Sequence, residues 1–490
     1  LTANTTASDN TAVGDNTLAA NTTGGFNTAV GGKALDANTT GLVNVAIGFS
    51  SLGQNTTGAY NSAVGTYSMQ HNLVGINNTS LGYASLSDNT ASNNTAVGFR
   101  SLESNTAGTK NVAVGSQALD ANTTGIQNTA LGYNALSSNT TANNNVAVGV
   151  LALQDNTTGT LNTALGTSAL ANNTTANNNT AVGFNALGLN TTGAPNVAVG
   201  VNALAANTTG GSNTAVGKAA LDTNTTGSNN VAVGANALDA NTTGTKNVAV
   251  GALALDANQT GNSNVAIGYN ALTENTSSFN VGVGNGALKV NTTGSSNIGI
   301  GAGALDDNTT GSQNIGIGLN TLGGNTTASN NTGVGHNALL FNTTGASNVA
   351  VGTNALDANT TGSANTAVGE GALTANTTGG NNVALGRDAL LVNTEGTQNI
   401  GIGRAAGDNI TTGDNNIVIG YLADASSATV DNEITLGNNS IATLRCNVQT
   451  ISSLSDARDK TNVIDLPEGL DFVTKLRPVK FEWATRDGNG

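Results

Sequence analysis

The chain has 490 residues, of which 9% are charged and 3% aromatic, with 65 glycines and three prolines. This composition excludes an ordinary globular core rich in aromatic side chains, and it excludes collagen, which needs glycine at every third position. Residues 1–437 carry 8 basic and 22 acidic side chains, a net charge of −14, which argues against nucleic-acid binding because phosphate recognition needs basic patches.

A repeat of 17 residues organises residues 1–437. The glycine that closes each Asn-Thr-Ala-Val-Gly-like block occurs 26 times from Gly14 to Gly437, and 23 of the 25 spacings are 17 residues, the other two being 16. Such constant spacing predicts structural units that stack on their neighbours. Positions are counted here from this anchor glycine, so Asn247 is position −4 and Leu255 position +4 of the coil anchored at Gly251.

Each repeat predicts one short strand. Val248 and Val250 alternate with Ala249, so the two valines are expected on one face and the alanine on the other. Glycine sometimes replaces that alanine, as at Gly299, which predicts close packing against it. Leucine at position +4 completes a set of three aliphatic anchors for each coil.

The Asn-Thr-Thr-Gly segment that follows predicts a turn, in which asparagine bonds to nearby backbone and glycine allows a positive φ. If coils stack at about 4.8 Å, equivalent asparagines align along the stack and can share hydrogen bonds. We therefore predict an axial ladder at position −4, for example through Asn230, Asn247 and Asn264. The Asn-Thr-Thr triplets also match glycosylation sequons, but we interpret them as turns.

A single coil buries little, so association with other chains is expected. The Asn-Ala-Val-Gly style of residues 1–437 resembles the head of YadA-type trimeric autotransporter adhesins, although this period is longer and includes the extra Asn-Thr-Thr-Gly segment. That resemblance implies a β-roll whose three chains pack together. The predicted fold class is all-β: a β-solenoid or β-roll of about 26 coils in an elongated parallel homotrimer, followed by a small mixed α/β segment.

The repeat decays after Gly403, as expected of a capping end. Alternating apolar residues in 438–454 predict a β connector, and residues 455–490 predict a helix opened by Pro467 and a strand near Trp483. Residues 455–490 contain Ser455, Asp456, Arg458, Lys460, Asn462, Gly469, Leu470, Asp471, Phe472, Leu476, Arg477, Pro478, Val479, Phe481 and Trp483. In these residues the segment resembles the start of the peptidase S74 domain, the intramolecular chaperone of phage tail fibres and tailspikes.

That resemblance implies a segment that trimerises the fibre and then cuts itself off before its serine. Ser455 would be the nucleophile and Lys460 its base, with cleavage between Leu454 and Ser455. An unprotonated lysine can activate a hydroxyl in this way. A serine and a lysine five residues apart would not by themselves predict catalysis, and no external substrate is expected.

The leading functional hypothesis is a structural trimeric fibre for host attachment, on a virion tail or at a cell surface, with a host surface receptor as its partner and glycans among the candidates. The alternative is a bacterial surface adhesin of the trimeric-autotransporter type. An ice-binding solenoid and a glycan-degrading tailspike are weaker alternatives, because threonine pairs lie in turns and acidic residues form no recurrent pair. The sequence predicts no cofactor, no metal site and no membrane insertion.

Several aromatic residues occupy variable repeat positions, which predicts either exposed contacts or packing over a neighbouring chain. They are Phe26, Tyr60, Phe99, Tyr133, Phe184, Tyr269, Phe279 and Phe341. His71 and His336 also lie at variable positions, where we expect surface residues.

Overall fold

The computed structural model describes residues 3–445. Within that range there is no helix, and one parallel sheet contains 26 strands. The chain divides into two compact units between Asn438 and Asn439, so all the strands belong to the first unit. The strands are Thr11–Val13 (β1), Thr28–Val30 (β2), Val45–Ile47 (β3), Ser62–Val64 (β4), Thr79–Leu81 (β5), Thr95–Val97 (β6), Val112–Val114 (β7), Thr129–Leu131 (β8), Val146–Val148 (β9), Thr163–Leu165 (β10), Thr180–Val182 (β11), Asn196–Val199 (β12), Asn213–Val216 (β13), Val231–Val233 (β14), Val248–Val250 (β15), Val265–Ile267 (β16), Val281–Val283 (β17), Ile298–Ile300 (β18), Ile315–Ile317 (β19), Thr332–Val334 (β20), Val349–Val351 (β21), Thr366–Val368 (β22), Val383–Leu385 (β23), Ile400–Ile402 (β24), Ile417–Ile419 (β25) and Ile434–Leu436 (β26).

Each strand pairs in parallel with the next strand along the chain, one repeat later. In β15 and β16, Val248 lies opposite Val265 and Ala249 opposite Ala266. The register also survives the two 16-residue coils, where Thr79 still pairs with Thr95. The predicted all-β solenoid with one repeat per coil is therefore confirmed.

The interior of each coil is narrow and lined by small side chains. Ala249, Ala254 and Leu255 are fully buried, whereas Val248 and Val250 lie on the outer face of the sheet. The predicted alternation is thus correct, and of the three aliphatic anchors in each coil only the leucine lies in the core. A Cβ added to Gly282, at the position of Ala249, would lie only 3.1 Å from Leu272 Cγ, so nothing much larger than alanine fits there.

The anchor glycine and the leucine that follows it turn the chain inward. Gly251 has a φ of 137°, which only glycine adopts readily. Leu255 has a φ of 54°, and every leucine at position +4 shares this left-handed conformation. The left-handed backbone costs roughly 1–2 kcal/mol, while burying a leucine side chain contributes about 1.5–3 kcal/mol. The burial of the leucine therefore offsets the backbone strain.

The glycine of the Asn-Thr-Thr-Gly segment has a different role from the one predicted. Gly244 is not among the residues with a positive φ. A Cβ at Gly244 would instead lie 2.6 Å from the carbonyl oxygen of Gly261 on the next coil. Glycine favours the close approach of successive coils at this corner, although Ala142 occupies the same position in another coil.

The C-terminal coils also have a buried core, but it is formed by different side chains. Gly407 replaces the usual leucine, and Ile410 and Val418 are buried beside it. In residues 438–445 the structure has no strand, and the rest of the predicted β connector, residues 446–454, lies outside the described residues. The predicted mixed α/β segment at 455–490 lies outside the described residues.

Candidate functional site

An apolar stripe covers the outer face of the sheet. Position −1 is valine, isoleucine or leucine in all 26 coils, and position −3 is valine or isoleucine in 15 and threonine or serine in 11. None of these 52 side chains is charged. Ile267 and Leu385 are 41% and 49% exposed. At about 4.8 Å per strand the stripe runs for roughly 120 Å, and exposed apolar surface on that scale is typical of an interface.

The predicted asparagine ladder at position −4 is present and fully buried. The backbone N–H of Asn247 donates to Oδ1 of Asn230 at 2.9 Å, and Asn264 repeats the bond to Asn247 at 3.0 Å. Asn247 Nδ2 also donates to the Gly261 carbonyl at 2.8 Å. Each side chain therefore bonds two backbone groups of the next coil and fixes the spacing of the coils.

A second buried ladder runs through the asparagines at position +7, and here the amides bond directly to one another. Asn241 Nδ2 donates to Asn224 Oδ1 at 2.8 Å and to the Gly244 carbonyl at 3.1 Å. These residues begin the Asn-Thr-Thr sequons, and both are fully buried. A glycan could not be attached to them in the folded coil, which agrees with their interpretation as turns.

The threonines at position +8 are also used by the coil itself. Thr225 Oγ1 donates to the carbonyl of Thr242 at 3.1 Å, and Thr242 repeats the bond to Gln259. Their hydroxyl protons are directed along the stack and not toward solvent. The threonine hydroxyls at position +8 are therefore not free to form the array that an ice-binding surface would need.

Acidic side chains recur at position +5, in nine of the 26 coils, and this set is called the acidic row. Desolvation raises the pKa of Asp222, Asp239 and Asp256 above the usual value, and the charge of Asp239 raises the pKa values of its neighbours Asp222 and Asp256 further. A carboxyl whose pKa is raised by folding stabilises the coil most when it is protonated. The members of this row with a raised pKa are Asp36, Asp120, Asp222, Asp239, Asp256, Asp306, Asp357 and Asp408.

Asp239→Asn is expected to stabilise the coil at pH 7 by less than about 1 kcal/mol, because solvent screens this half-buried charge. The gain should disappear as the pH falls toward 3, below the unfolded pKa of about 3.9, where the wild-type carboxyl is protonated in both states. Thermal unfolding followed by circular dichroism at the two pH values measures the difference. Asp155→Asn, at an exposed position, is the control, and an equal gain in both variants would contradict the prediction.

The predicted catalytic residues Ser455 and Lys460 lie outside the described residues. In the range 3–445, no cluster of three or more histidine, cysteine or acidic side chains could hold a metal ion, and no helix there could cross a membrane. His71 lies at the surface and bonds Asp88 on the next coil at 2.9 Å, so it serves as a contact between coils.

A parallel β-solenoid with an uninterrupted apolar stripe is the body of a fibre-like protein. Residues 455–490 match the sequence model of the peptidase S74 family, described as the chaperone of endosialidase, which confirms the resemblance found in this segment. The combination of solenoid and chaperone segment fits a tail-fibre-like protein, and it suggests a phage tail or extracellular location. No curated protein and no solved structure shows significant similarity to the chain.

Proposed function

We propose that the solenoid is the shaft of a parallel homotrimeric fibre that attaches a virion or a similar particle to a host surface. The observation that carries this proposal is the apolar stripe at positions −3 and −1. Its register repeats every 17 residues, so identical chains that align in parallel can match one stripe to another along their whole length. A closed symmetric arrangement then buries every stripe and leaves none exposed.

The number of chains and the role of the C-terminal segment are inferred from the two family resemblances. The YadA-like repeat is typical of a trimeric head, and the S74 segment is typical of a chaperone that assembles trimeric fibres. The second candidate function, a bacterial surface adhesin, is favoured by the repeat style alone. The S74 match at 455–490 supports the tail-fibre hypothesis over the adhesin.

The full-length protein is expected to have the mass of three chains in solution, measured by light scattering coupled to size exclusion. Introducing charge into the stripe with Val233→Glu and Val250→Glu should reduce that mass, because two carboxylates in each chain would be buried without partners. Thr260→Glu, at an exposed corner of the coil, is the control and should leave the mass unchanged. A wild-type protein that stays monomeric and soluble would rule out the trimer.

We further propose that the chain cleaves itself between Leu454 and Ser455 after assembly. The Ser455 hydroxyl attacks the Leu454 carbonyl carbon while the neutral Lys460 amine takes its proton. The lysine ammonium returns that proton to the Ser455 nitrogen, which leaves as a free amine while Leu454 is held as an ester on the Ser455 oxygen. Water then hydrolyses the resulting ester, leaving a carboxylate on Leu454 and a free hydroxyl on Ser455. Loss of the chaperone would leave a fibre whose persistence depends on slow unfolding, not on its ability to refold.

Intact-mass analysis of the full-length protein should therefore show a cut at this bond. Ser455→Ala and Lys460→Ala should each give an uncut but assembled trimer, whereas Ser453→Ala, two residues away, should be cut like the wild type. A wild-type chain that remains whole while trimeric would show that Ser455 is not a nucleophile here.

A further inference from the structure

Four aromatic side chains form a continuous row on successive coils of the N-terminal part of the solenoid. The ring centroids of Phe49 and Tyr67 are 5.8 Å apart, as are those of Tyr67 and Tyr83, and both pairs meet edge to face. Tyr83 and Phe99 stack at 5.6 Å. Phe49, Tyr83 and Phe99 are each close to half exposed. The row therefore presents ring surface to solvent along roughly 15 Å, at about 4.8 Å per coil.

Polar side chains face this row across a shallow groove. The groove has a volume of about 470 Å³ and is lined by Tyr67, Tyr83 and Phe99 together with Gln70, Ser87, Arg100 and Glu103. Nε of Arg100 donates to Oε2 of Glu103, so that a guanidinium and a carboxylate are held side by side. An amide, a hydroxyl and an ion pair thus offer both donors and acceptors beside the aromatic rings.

The fold does not require aromatic residues in this row. The residue directly after the anchor glycine is Ala252 in one coil and Ser116 in another. The strands of those two coils pair with their neighbours in the same register as elsewhere. Large aromatic side chains on four consecutive coils, three of them close to half exposed, add apolar surface without filling the core. This cluster therefore reflects a contact that the coil makes with something else.

We propose that this groove binds an uncharged oligosaccharide chain. The C–H faces of pyranose rings pack on aromatic side chains, and their hydroxyls need the mixture of donors and acceptors that Gln70, Ser87 and the Arg100–Glu103 pair supply. The length of the row favours several linked sugars over a single one. The proposal names the chemical class of the receptor and, in that sense, rests on the proposed attachment function.

The charge around the groove separates a neutral glycan from other ligands that stack on aromatic rings. Single-stranded nucleic acid also stacks in this way but needs a positively charged groove. Here Arg100 is the only basic lining residue, Glu103 neutralises it, and Asp120 lies close enough to act on its charge. The same carboxylates would repel a polyanionic polysaccharide, which leaves an uncharged chain as the matching ligand.

Titration calorimetry of the full-length protein with a panel of neutral hexasaccharides, namely maltohexaose, mannohexaose, laminarihexaose and cellohexaose, tests the proposal. We expect at least one of them to bind. The double variant Tyr83→Ser and Phe99→Ser, which introduces the serine that Ser116 already provides in the next coil, should weaken binding at least tenfold. Tyr133→Ser removes an isolated aromatic residue at the same repeat position and should leave the affinity unchanged.

Failure to bind any of the four sugars, or an equal loss of affinity in the control, would overturn the glycan groove. The assembled mass of each variant is measured in parallel. A lower mass in the double variant would identify the row as an interface between chains, which overturns the groove but leaves the fibre intact. A wild-type monomer that still binds a hexasaccharide would overturn the fibre and leave the groove.

Discussion

Replacing Gly251 with alanine is expected to destabilise the solenoid by roughly 2–6 kcal/mol, because backbone strain and overpacking act together. The φ of 137° at Gly251 lies in a region that side chains with a Cβ rarely adopt. An added Cβ would also lie 2.6 Å from the carbonyl carbon of Gly268 and still closer to its oxygen. The backbone at Gly268 cannot retreat easily, since its N–H bonds the Val250 carbonyl at 2.8 Å.

Gly282→Ala is the matched control, because it adds the same methyl group in a position where most coils already have alanine. There the neighbouring atoms, Leu272 Cγ and the Ala287 carbonyl oxygen, lie 3.1 Å from the new Cβ and need to move only slightly. The cost should stay below about 1.5 kcal/mol. Urea denaturation followed by far-UV circular dichroism compares the two variants, and similar midpoints would show that the anchor glycine is not required for its conformation.

Part of this fold could be predicted from the sequence, and part could not. The constant 17-residue spacing and the Val-Ala-Val alternation predicted the stacked parallel strands and the two faces correctly. They did not predict which face is the interior, because valine usually indicates the core. In this coil the interior is too narrow for valine, and Ala249 fills it while Val248 and Val250 point outward.

The left-handed leucines could not be predicted for a related reason. Propensity assigns a positive φ to glycine or asparagine, so the segment around Gly244 was the expected place for it. In the structure Leu255 adopts that conformation instead, because the turn carries its side chain into the core. Burial of the leucine side chain therefore outweighs the local backbone preference. A single repeat does not reveal this burial, because the core forms only when neighbouring coils stack.

The aromatic row was missed because its members do not share one repeat position. Phe49, Tyr83 and Phe99 directly follow their anchor glycines, whereas Tyr67 is one residue further on, and a short coil separates Tyr83 from Phe99. Of the four, Phe99 alone is among the aromatic residues that the sequence marks as candidate contacts at variable repeat positions. Stacking of the coils brings the four side chains together, so the candidate site is a property of the assembled solenoid.

Replacing Asn230 with leucine is expected to cost roughly 1–3 kcal/mol, because a buried backbone N–H would lose its partner. Oδ1 of Asn230 accepts the backbone N–H of Asn247 at 2.9 Å, and its Nδ2 donates to the Gly244 carbonyl at 2.8 Å. Leucine has a similar size but no polar atoms, so the buried N–H of Asn247 is left unsatisfied, whereas the Gly244 carbonyl keeps its bond from Asn241 Nδ2 at 3.1 Å.

The neighbouring residue provides the control for that variant. Asn229 is exposed, and Leu161 already occupies the equivalent position of another coil with a nearly identical φ, 60° against 61°. Asn229→Leu should therefore change the free energy of unfolding by no more than about 0.5 kcal/mol, as is usual for a surface substitution. Denaturation of the two variants measures the difference, and equal stabilities would refute a structural role for the ladder.

Hydrogen exchange gives a more local measure of the same ladder. In a stacked solenoid each coil contacts mainly its neighbours, so a lost bond weakens the structure near the lost partner first. The backbone amide of Asn247 should exchange much faster in Asn230→Leu than in the wild type, whereas amides several coils away should keep their rates. Faster amide exchange along the whole solenoid would instead mean that the coils unfold as one cooperative unit. An unchanged exchange rate at Asn247 would mean that the bond to Asn230 does not protect this amide.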